Sequence, residues 1–202
     1  MIRKLGIVGV GLIGGSAALA ARRAGFASEV VGLGRTQENL DTALSRGIVD
    51  IASRDPEILV DCDLVLLATP VRTLALNARQ VVGQLRPDTV VTDGGSVKAE
   101  VVRDCEAILG PRFVGSHPIA GTEDSGAAAA DEALFRDAVC VVTPSLHTDS
   151  AATALVRQFW EALGMRVISM DPESHDRALG VTSHLPHLLA FALAGVGSGE
   201  RT

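Results

Sequence analysis

One histidine, His117, stands in a loop-forming segment that gives it no evident structural task. The segment reads Gly115-Ser-His-Pro-Ile-Ala-Gly-Thr-Glu-Asp-Ser-Gly126 and begins in a short run that predicts a β-strand. Imidazole is the side chain whose unperturbed pKa lies near neutrality, so a histidine at the end of a strand is a candidate for proton transfer. The alternative is a structural histidine whose ring nitrogens are satisfied inside the fold. The choice depends on what His117 would act upon.

A second candidate site lies near the start of the chain, in the sequence Gly9-Val-Gly-Leu12-Ile13-Gly14. It follows a predicted strand and opens a predicted helix, which is the context that a dinucleotide-binding G-x-G-x-x-G motif requires. Gly9 permits the tight turn, Gly11 lets a pyrophosphate approach the backbone, and Gly14 allows the helix to pack closely on the sheet. The helix N-terminus favours an anion. The alternative is a glycine-rich turn without a ligand.

The end of the second predicted strand bears on which dinucleotide binds. In an NAD site, an acidic residue about 20 positions beyond the last glycine holds the ribose hydroxyls. Here that region reads Gly34-Arg35-Thr36. Glycine removes a carboxylate that would repel a 2′-phosphate, and the Arg35 guanidinium is a bidentate partner for one. We therefore predict NADP in preference to NAD, with Arg35 and Thr36 at the cofactor. The alternative is that Arg35 caps a solvated loop and stacks on adenine without selecting a cofactor.

Two further segments end predicted strands. Thr69-Pro70 follows the third, and Asp93-Gly-Gly-Ser96-Val-Lys98 follows the fourth and opens a helix. Ligands of open α/β sheets bind outside the carboxyl ends of the strands, so both segments are predicted at the mouth of the site. Ser96 is predicted to contact the substrate or the nicotinamide ribose, and its structural alternative is a helix N-cap. For Lys98 the alternative is a solvated helix residue.

An alternation of strands and helices must position these residues. Short aliphatic runs predict buried parallel strands at residues 5–8, 29–33, 64–68, 89–93, 113–116 and 139–143, with a further strand at 166–170. Helix-length segments lie between them at residues 14–24, 37–46, 71–85, 97–109 and 150–163. This order predicts an α/β fold, a Rossmann-type doubly wound and mainly parallel sheet, over residues 1–170. Beyond Met170, a helical stretch opens with Asp171-Pro-Glu-Ser-His175-Asp176.

Composition excludes several classes of partner. The 18 basic and 24 acidic residues give a net charge of −6, which argues against nucleic acid or an anionic membrane as the main partner. We therefore predict a small-molecule ligand. Cys62, Cys105 and Cys140 are odd in number and widely spaced, so they are predicted to be reduced core thiols. Residues 5–21 could pass for a signal peptide, but glycines interrupt them and a helix continues, so we expect a cytoplasmic protein.

Four strings carry a resemblance to a known family. They are Gly9-Val-Gly-Leu-Ile-Gly-Gly-Ser16, the Asp93 to Lys98 turn, Gly115-Ser-His-Pro-Ile-Ala-Gly-Thr-Glu123 and Ser183-His184-Leu-Pro-His187. In this order and at this spacing, over almost the whole chain, the sequence resembles the prephenate dehydrogenases. That family includes the arogenate and cyclohexadienyl dehydrogenases of tyrosine biosynthesis.

The resemblance implies an NAD(P)-dependent oxidative decarboxylation. Hydride leaves the ring carbon that bears the 4-hydroxyl, and loss of carbon dioxide aromatises the ring to 4-hydroxyphenylpyruvate, or to tyrosine from arogenate. His117 matches the family's catalytic histidine, which accepts the hydroxyl proton, and Ser96 matches a serine beside it. Substrate-binding roles fall by resemblance on Gly121, Thr122, Glu123 and His187. For Glu123 a charge at a helix N-terminus is the open alternative.

The remaining histidines receive supporting roles. His184 is expected to support the structure, and His175 with Asp176 to help open the helical domain. The three-residue spacing of His184 and His187 could suggest a metal, but no third and fourth ligands with suitable spacing follow, so no metal is predicted.

The sequence also departs from the family pattern. Family members continue into a long helical domain that forms a homodimer and supplies an arginine for the side-chain carboxylate of the substrate. Residues 171–202 are expected to hold the incomplete beginning of that all-α domain, so no residue here takes the arginine's role. We expect this chain alone to bind cofactor but to turn over poorly, with an exposed apolar face at residues 185–196. Two rival functions are another Rossmann reductase of small acids and a non-catalytic dinucleotide-binding or assembly module.

Overall fold

Strands and helices alternate along the first 180 residues, which are those that the computed structural model describes. The strands are β1 (Ile2–Val8), β2 (Ala27–Leu33), β3 (Ile51–Ser53), β4 (Leu64–Leu67), β5 (Val90–Asp93), β6 (Phe113–Ile119), β7 (Val139–Thr143) and β8 (Arg166–Ser169). The helices are α1 (Leu12–Arg23), α2 (Gln37–Ser45), α3 (Leu74–Val81), α4 (Ala99–Leu109), α5 (Ser150–Ala162) and α6 (Pro172–Leu179). The predicted helical stretch after Gly180 lies outside the described residues.

All eight strands form one sheet in the order β3-β2-β1-β4-β5-β6-β7-β8. Every neighbouring pair is parallel except β6 with β7. The order reverses direction between β1 and β4, as in a Rossmann-type sheet, which confirms the predicted fold class. The prediction of a parallel strand at residues 139–143 was wrong. A parallel return needs a crossover, and residues 120–138 contain only a 3-10 turn at Ala127–Ala129 instead of an α-helix.

Alternate residues of each buried strand supply two hydrophobic cores, one on each face of the sheet. In β4, Leu64 and Leu66 face the core that holds Phe159 and Trp160 of α5, whereas Val65 and Leu67 face the core under α3 and α4. This two-residue period, buried on both sides, is what a strand covered by helices on both faces requires.

The three cysteines were predicted to be reduced thiols of the core. All three cysteines are free and buried, and burial raises the pKa of Cys62 and of Cys105 to about 12, which makes these thiols poor nucleophiles. Within residues 1–180, no helix combines the length and the apolar character needed to cross a membrane.

One buried hydroxyl is unsatisfied, and its removal is expected to stabilise the protein. Among the described residues Thr143 Oγ1 has no hydrogen-bond partner, and Thr143 stands opposite Gly115 in the β6–β7 pair. A buried donor without a partner costs about 1–3 kcal/mol. Thr143→Val keeps the shape and removes that cost, so we expect the free energy of unfolding in urea to rise by about 1 kcal/mol.

Thr89→Val is the matched control for this prediction. The Thr89 hydroxyl is also buried, but it donates to the Cys62 carbonyl at 2.8 Å. Its loss leaves a buried carbonyl without that bond, so the same substitution is expected to lower stability by about 1 kcal/mol. Equal destabilisation by the two variants would contradict the prediction.

Candidate active site

Three glycines shape the turn between β1 and α1. Gly9 has φ of +94°, and a Cβ added to it would lie 2.8 Å from the Ala68 carbonyl oxygen. A Cβ on Gly14 would lie 2.8 Å from Ile7 Cγ2 of the strand beneath. Around Gly11, by contrast, no atom lies within 4 Å of the added Cβ. The turn is therefore tight, the helix is close to the sheet, and the backbone at Gly11 faces open space, which fits a dinucleotide pyrophosphate.

A cavity of about 640 Å³ opens from this turn over the carboxyl ends of β1, β2 and β4. Small-molecule sites typically have volumes of about 300–1,000 Å³. Of the predicted cofactor residues, those that line it are Gly9, Gly11, Arg35, Thr36, Thr69 and Pro70. Leu12, Ile13 and Gly14 instead form the first turn of α1, where Gly14 is buried.

The charged side chains of the described residues that line this cavity are all basic. Two arginines, Arg35 and Arg54, contribute to its lining, and no aspartate or glutamate among the described residues does. Arg54 follows β3 directly, and the Gly34 N–H donates to the Ser53 carbonyl at 3.1 Å, which holds the ends of β2 and β3 side by side. Arg54 was not predicted, because β3 has only three residues and no clear alternation. The signal available was a basic residue next to a possible strand end.

Thr69 and Ser96 follow the neighbouring strands β4 and β5, but their surroundings differ. Thr69 Oγ1 accepts a hydrogen bond from Asn77 Nδ2 of α3 at 2.7 Å, which fixes the hydroxyl at the cavity. Ser96 is exposed in the connection between β5 and α4. It does not cap the helix, because α4 begins at Ala99 with Lys98 as the N-cap residue. The structural alternative for Ser96 was therefore wrong.

His117 lies within a strand instead of a loop. Strand β6 continues to Ile119, and His117 stands opposite Val141 of the antiparallel strand β7. Its ring is half-buried, with Nδ1 2.9 Å from Nε2 of His175 in α6. The loop prediction failed because the sequence did not reveal that β7 returns antiparallel and extends the pairing beyond Ser116.

His175 in turn contacts a carboxylate that caps α4. His175 is buried, and its Nδ1 lies 2.7 Å from Asp176 Oδ1. The same carboxylate accepts the backbone N–H groups of Lys98 at 2.8 Å and of Ala99 at 2.9 Å. The structure thus connects His117, His175, Asp176 and the N-terminus of α4 in one hydrogen-bonded chain, which the sequence did not predict.

Burial and hydrogen bonding shift the pKa values along this chain. Burial, the largest effect, lowers the pKa of His175 below its usual value, although Asp176 acts in the opposite direction. For Asp176, burial raises the pKa, but the hydrogen bonds from Ala99, His175 and Lys98 together outweigh it, so the net pKa is lowered. Near neutral pH the pair is therefore a neutral imidazole beside a carboxylate.

A buried ion pair lies beneath the site. Lys98 and Asp93 are both fully buried and joined directly, and the Lys98 ammonium also donates to the Ser116 carbonyl at 2.8 Å. The alternative of a solvated Lys98 was therefore wrong, because the side chain turns under α4 toward β5. Asp93 also accepts the N–H groups of Gly95 at 2.8 Å and Ser116 at 3.0 Å. The pair ties the end of β5 to the residue that precedes His117.

Gly94 lies between the dinucleotide turn and the strand of His117. A Cβ added to this residue, which follows β5 directly, would be 3.2 Å from Ile13 Cγ2 in α1 and 3.9 Å from Pro118 Cγ next to His117. The first turn of α1 and the residue after His117 thus both lie near the same glycine.

Within the described residues, no contact joins the other predicted substrate residues to His117. Gly121, Thr122 and Glu123 are exposed after β6. Glu123 does not begin an α-helix, because a 3-10 turn at Ala127–Ala129 follows, so that alternative was wrong. His187, like Ser183 and His184, lies outside the described residues. Within residues 1–180, no group of three or more His, Cys, Asp or Glu side chains could hold a metal ion.

This fold and site define a Rossmann-type dinucleotide-binding protein with a histidine in the sixth strand of its sheet. The family "prephenate dehydrogenase, nucleotide-binding domain" matches residues 17–169, and "prephenate dehydrogenase, dimerization domain" matches residues 171–201. The chain belongs to the prephenate dehydrogenase family, which confirms the resemblance seen in the sequence.

Individual relatives agree with this assignment. A cyclohexadienyl dehydrogenase of Zymomonas mobilis is 36% identical over 201 residues, covering 98% of this chain and 69% of the relative. A prephenate dehydrogenase of Bacillus subtilis is 35% identical, covering 93% of this chain and 52% of the relative. Prephenate dehydrogenase from A. aeolicus, solved with hydroxyphenyl propionate and NAD⁺, superposes with a TM-score of 0.95 at 41% identity, covering 100% of this chain and 71% of that one. The chain thus spans from about half to about seven-tenths of the length of these relatives.

Proposed function

We propose that the protein catalyses NAD(P)-dependent oxidative decarboxylation of prephenate, arogenate or both. The observation that supports the proposal is the position of His117: its ring contacts His175, and the next residue, Pro118, lies near Gly94, which also lies near the dinucleotide turn. Family membership supplies the substrate class, since the relatives are named for these cyclohexadienyl acids. The protein would belong to tyrosine biosynthesis, with the cytoplasm as the proposed compartment and a homodimer formed through residues 171 onward as the proposed assembly.

In the proposed reaction, His117 accepts one proton and later returns it. A bound nicotinamide supplies the hydride acceptor. His117 Nε2 accepts the proton of the substrate's 4-hydroxyl as the C4–H bond breaks, so that a carbonyl forms at that carbon. The bond to the ring carboxylate then breaks, carbon dioxide leaves, and its electron pair aromatises the ring. His117 returns the proton to the resulting phenolate, so the histidine ends neutral.

Cofactor contacts are proposed at the ends of three strands. The Gly9–Gly14 turn after β1 would hold the pyrophosphate against the N-terminus of α1. Thr69 and Pro70 follow β4 and Ser96 follows β5, and these two strands lie between β1 and the strand of His117 in the sheet. Glu123, Gly121, Thr122 and His187 remain proposed substrate-side residues.

A steady-state assay tests the activity. The protein expressed from its complete gene is mixed with prephenate or arogenate and with NAD or NADP, and reduced nicotinamide and carbon dioxide are measured together. We expect one carbon dioxide per reduced cofactor with at least one of the two acids. Absence of turnover with both acids, under conditions where the cofactor binds, would leave a non-catalytic dinucleotide-binding protein as the better account.

We expect NADP to bind more tightly than NAD. Arg35 and Arg54 line the cavity, and no carboxylate of the described residues lines it with them. A hydrogen bond between charged groups contributes about 1.5–3 kcal/mol. Arg35→Ala and Arg54→Ala should therefore each weaken NADP binding by about tenfold or more and leave NAD binding nearly unchanged, as measured by fluorescence titration. Arg79→Ala, an exposed arginine of α3, is the control. Tighter binding of NAD, or equal losses for both cofactors, would contradict the prediction.

A further inference from the structure

We propose that His175 is a positioning residue that sets the tautomer of His117. Asp176, His175 and His117 form a relay of hydrogen bonds, and Asp176 is its fixed end. The catalytic meaning of this inference rests on the proposed function, but the relay itself is a property of the folded chain. Its geometric basis is two short contacts in series: Asp176 Oδ1 to His175 Nδ1 at 2.7 Å, and His175 Nε2 to His117 Nδ1 at 2.9 Å.

The direction of the hydrogen bonds begins at Asp176. The ionised carboxylate only accepts, so the hydrogen shared with His175 must reside on His175 Nδ1. A neutral His175 then presents a lone pair at Nε2. Because His117 Nδ1 faces that lone pair, it must carry its own hydrogen. In neutral His117 this places the lone pair at Nε2, the nitrogen to which the proposed mechanism assigns the substrate's proton.

Asp176 is held in its accepting state by α4. The carboxylate takes the first N–H groups of this eleven-residue helix, from Lys98 and Ala99, where the helix dipole favours negative charge. Protonation would turn one oxygen into an O–H donor and weaken those contacts. The Asp176 carboxylate therefore both caps α4 and orients the two histidines.

His175 must also remain neutral for the relay to work. The charged groups that face it are Asp176 on its own helix and Lys98 and Asp93 at the start of α4 and the end of β5, with His117 on β6. Burial and the Lys98 charge disfavour the protonated ring, whereas the two carboxylates favour it, and the net pKa of His175 is lowered. The ring is therefore neutral at pH 7 and charges only under more acidic conditions than an ordinary histidine.

The relay also crosses the boundary between the two family matches. His117 belongs to the segment matched as nucleotide-binding domain, whereas His175 and Asp176 lie in the segment matched as dimerization domain. Helix α6 thus contributes the group that orients a residue of the first domain. A displacement of α6 would break the contact of His175 with His117 and the contacts of Asp176 with α4, and it would leave the tautomer of His117 undetermined.

Nitrogen-15 NMR of the histidine rings in this 202-residue chain tests the relay directly. The five histidines are assigned by single His→Gln variants. At pH 7.5 we expect His117 and His175 both to carry the hydrogen on Nδ1. In Asp176→Ala no carboxylate accepts the hydrogen on His175 Nδ1, so this preference should be lost and the Nε2–H form should appear in both rings. A wild-type His117 protonated on Nε2, or tautomers unchanged in Asp176→Ala, would overturn the proposal.

Kinetics of the protein from its complete gene give the functional measure. Asp176→Ala and His175→Leu should each lower kcat by about 10–100-fold with little change in KM, the range typical of a group that orients an imidazole. His175→Gln can place an amide oxygen opposite His117 Nδ1, so it should recover most of kcat even if its melting temperature falls like that of His175→Leu. Equal kcat losses in the Gln and Leu variants would indicate a merely structural role.

The two proposals fail in different ways. If the NMR tautomers are as expected but no variant of the protein oxidises prephenate or arogenate, the relay stands and the proposed function falls. If the protein is active but the tautomer of His117 is insensitive to Asp176→Ala, the function stands and the relay falls.

Discussion

His117→Asn is expected to lower kcat by about 10²–10⁴-fold, the contribution that general-base catalysis usually makes. Asparagine has no group that can take a proton near neutral pH. Its amide N–H can still donate to His175 Nε2, as Nδ1–H of the histidine does, so the neighbouring relay is retained. The loss should therefore appear equally in kcat and kcat/KM, because an interaction specific to the transition state has been removed.

Cofactor affinity separates this effect from unfolding. The dinucleotide turn is built from β1 and α1, so His117→Asn should bind NADP as the wild type does in a fluorescence titration. His147→Asn makes the same chemical change at an exposed histidine in the turn after β7 and should leave both kcat and cofactor binding unchanged. A fully active His117→Asn variant would remove the assignment of His117 as the base.

The parts of the molecule that depend on local sequence were predictable. The turn from Gly9 to Gly14 needs only a strand, three glycines and a helix in succession, and the structure contains each of them. The aliphatic runs of β1, β2, β4 and β5 are buried on both faces, so their continuous hydrophobicity identified them. These features gave the fold class, and the four motif strings gave the family.

Strand β6 shows where local sequence was insufficient. Pro118 lacks an N–H and therefore argues for a loop after Ser116. Pairing with β5 ends at Thr92 opposite Val114, so residues 115–119 pair only with β7. At such a one-sided position a proline is tolerated, and the strand continues through His117. That outcome depends on the antiparallel return of β7, which the sequence of β6 does not encode.

The relay depends on packing between distant segments. His175 lies 58 residues beyond His117, and only the packing of α6 beside α4 joins them. In the sequence, Asp171 and Pro172 marked the start of a helix, which the structure contains, with the Asp171 carboxylate accepting the Ser174 N–H at 2.8 Å. Nothing in the local pattern of residues indicated that the buried face of that helix would carry a histidine toward β6.

The buried ion pair supplies the largest expected effect on stability. Lysine is almost never fully buried without a partner, so the position of Lys98 implies that Asp93 compensates its charge. Lys98→Met keeps a similar volume but leaves the Asp93 carboxylate buried without its counter-charge. Breaking a buried pair in this way typically costs about 3–5 kcal/mol, and we expect a loss of that size in the free energy of unfolding measured in urea.

A double variant distinguishes the uncompensated charge from lost packing. Asp93→Asn combined with Lys98→Met removes both charges. Gly95 and Ser116 donate their N–H groups to different oxygens of Asp93, and the asparagine oxygen can accept only one of them, so the double variant should recover part of the loss. Arg22→Met breaks an exposed pair with Asp50 at 2.6 Å and should cost less than about 1 kcal/mol. A loss in Lys98→Met no larger than that of Arg22→Met, or a double variant no more stable than Lys98→Met, would show that the pair does not hold β5 to the strand of His117 by its charge.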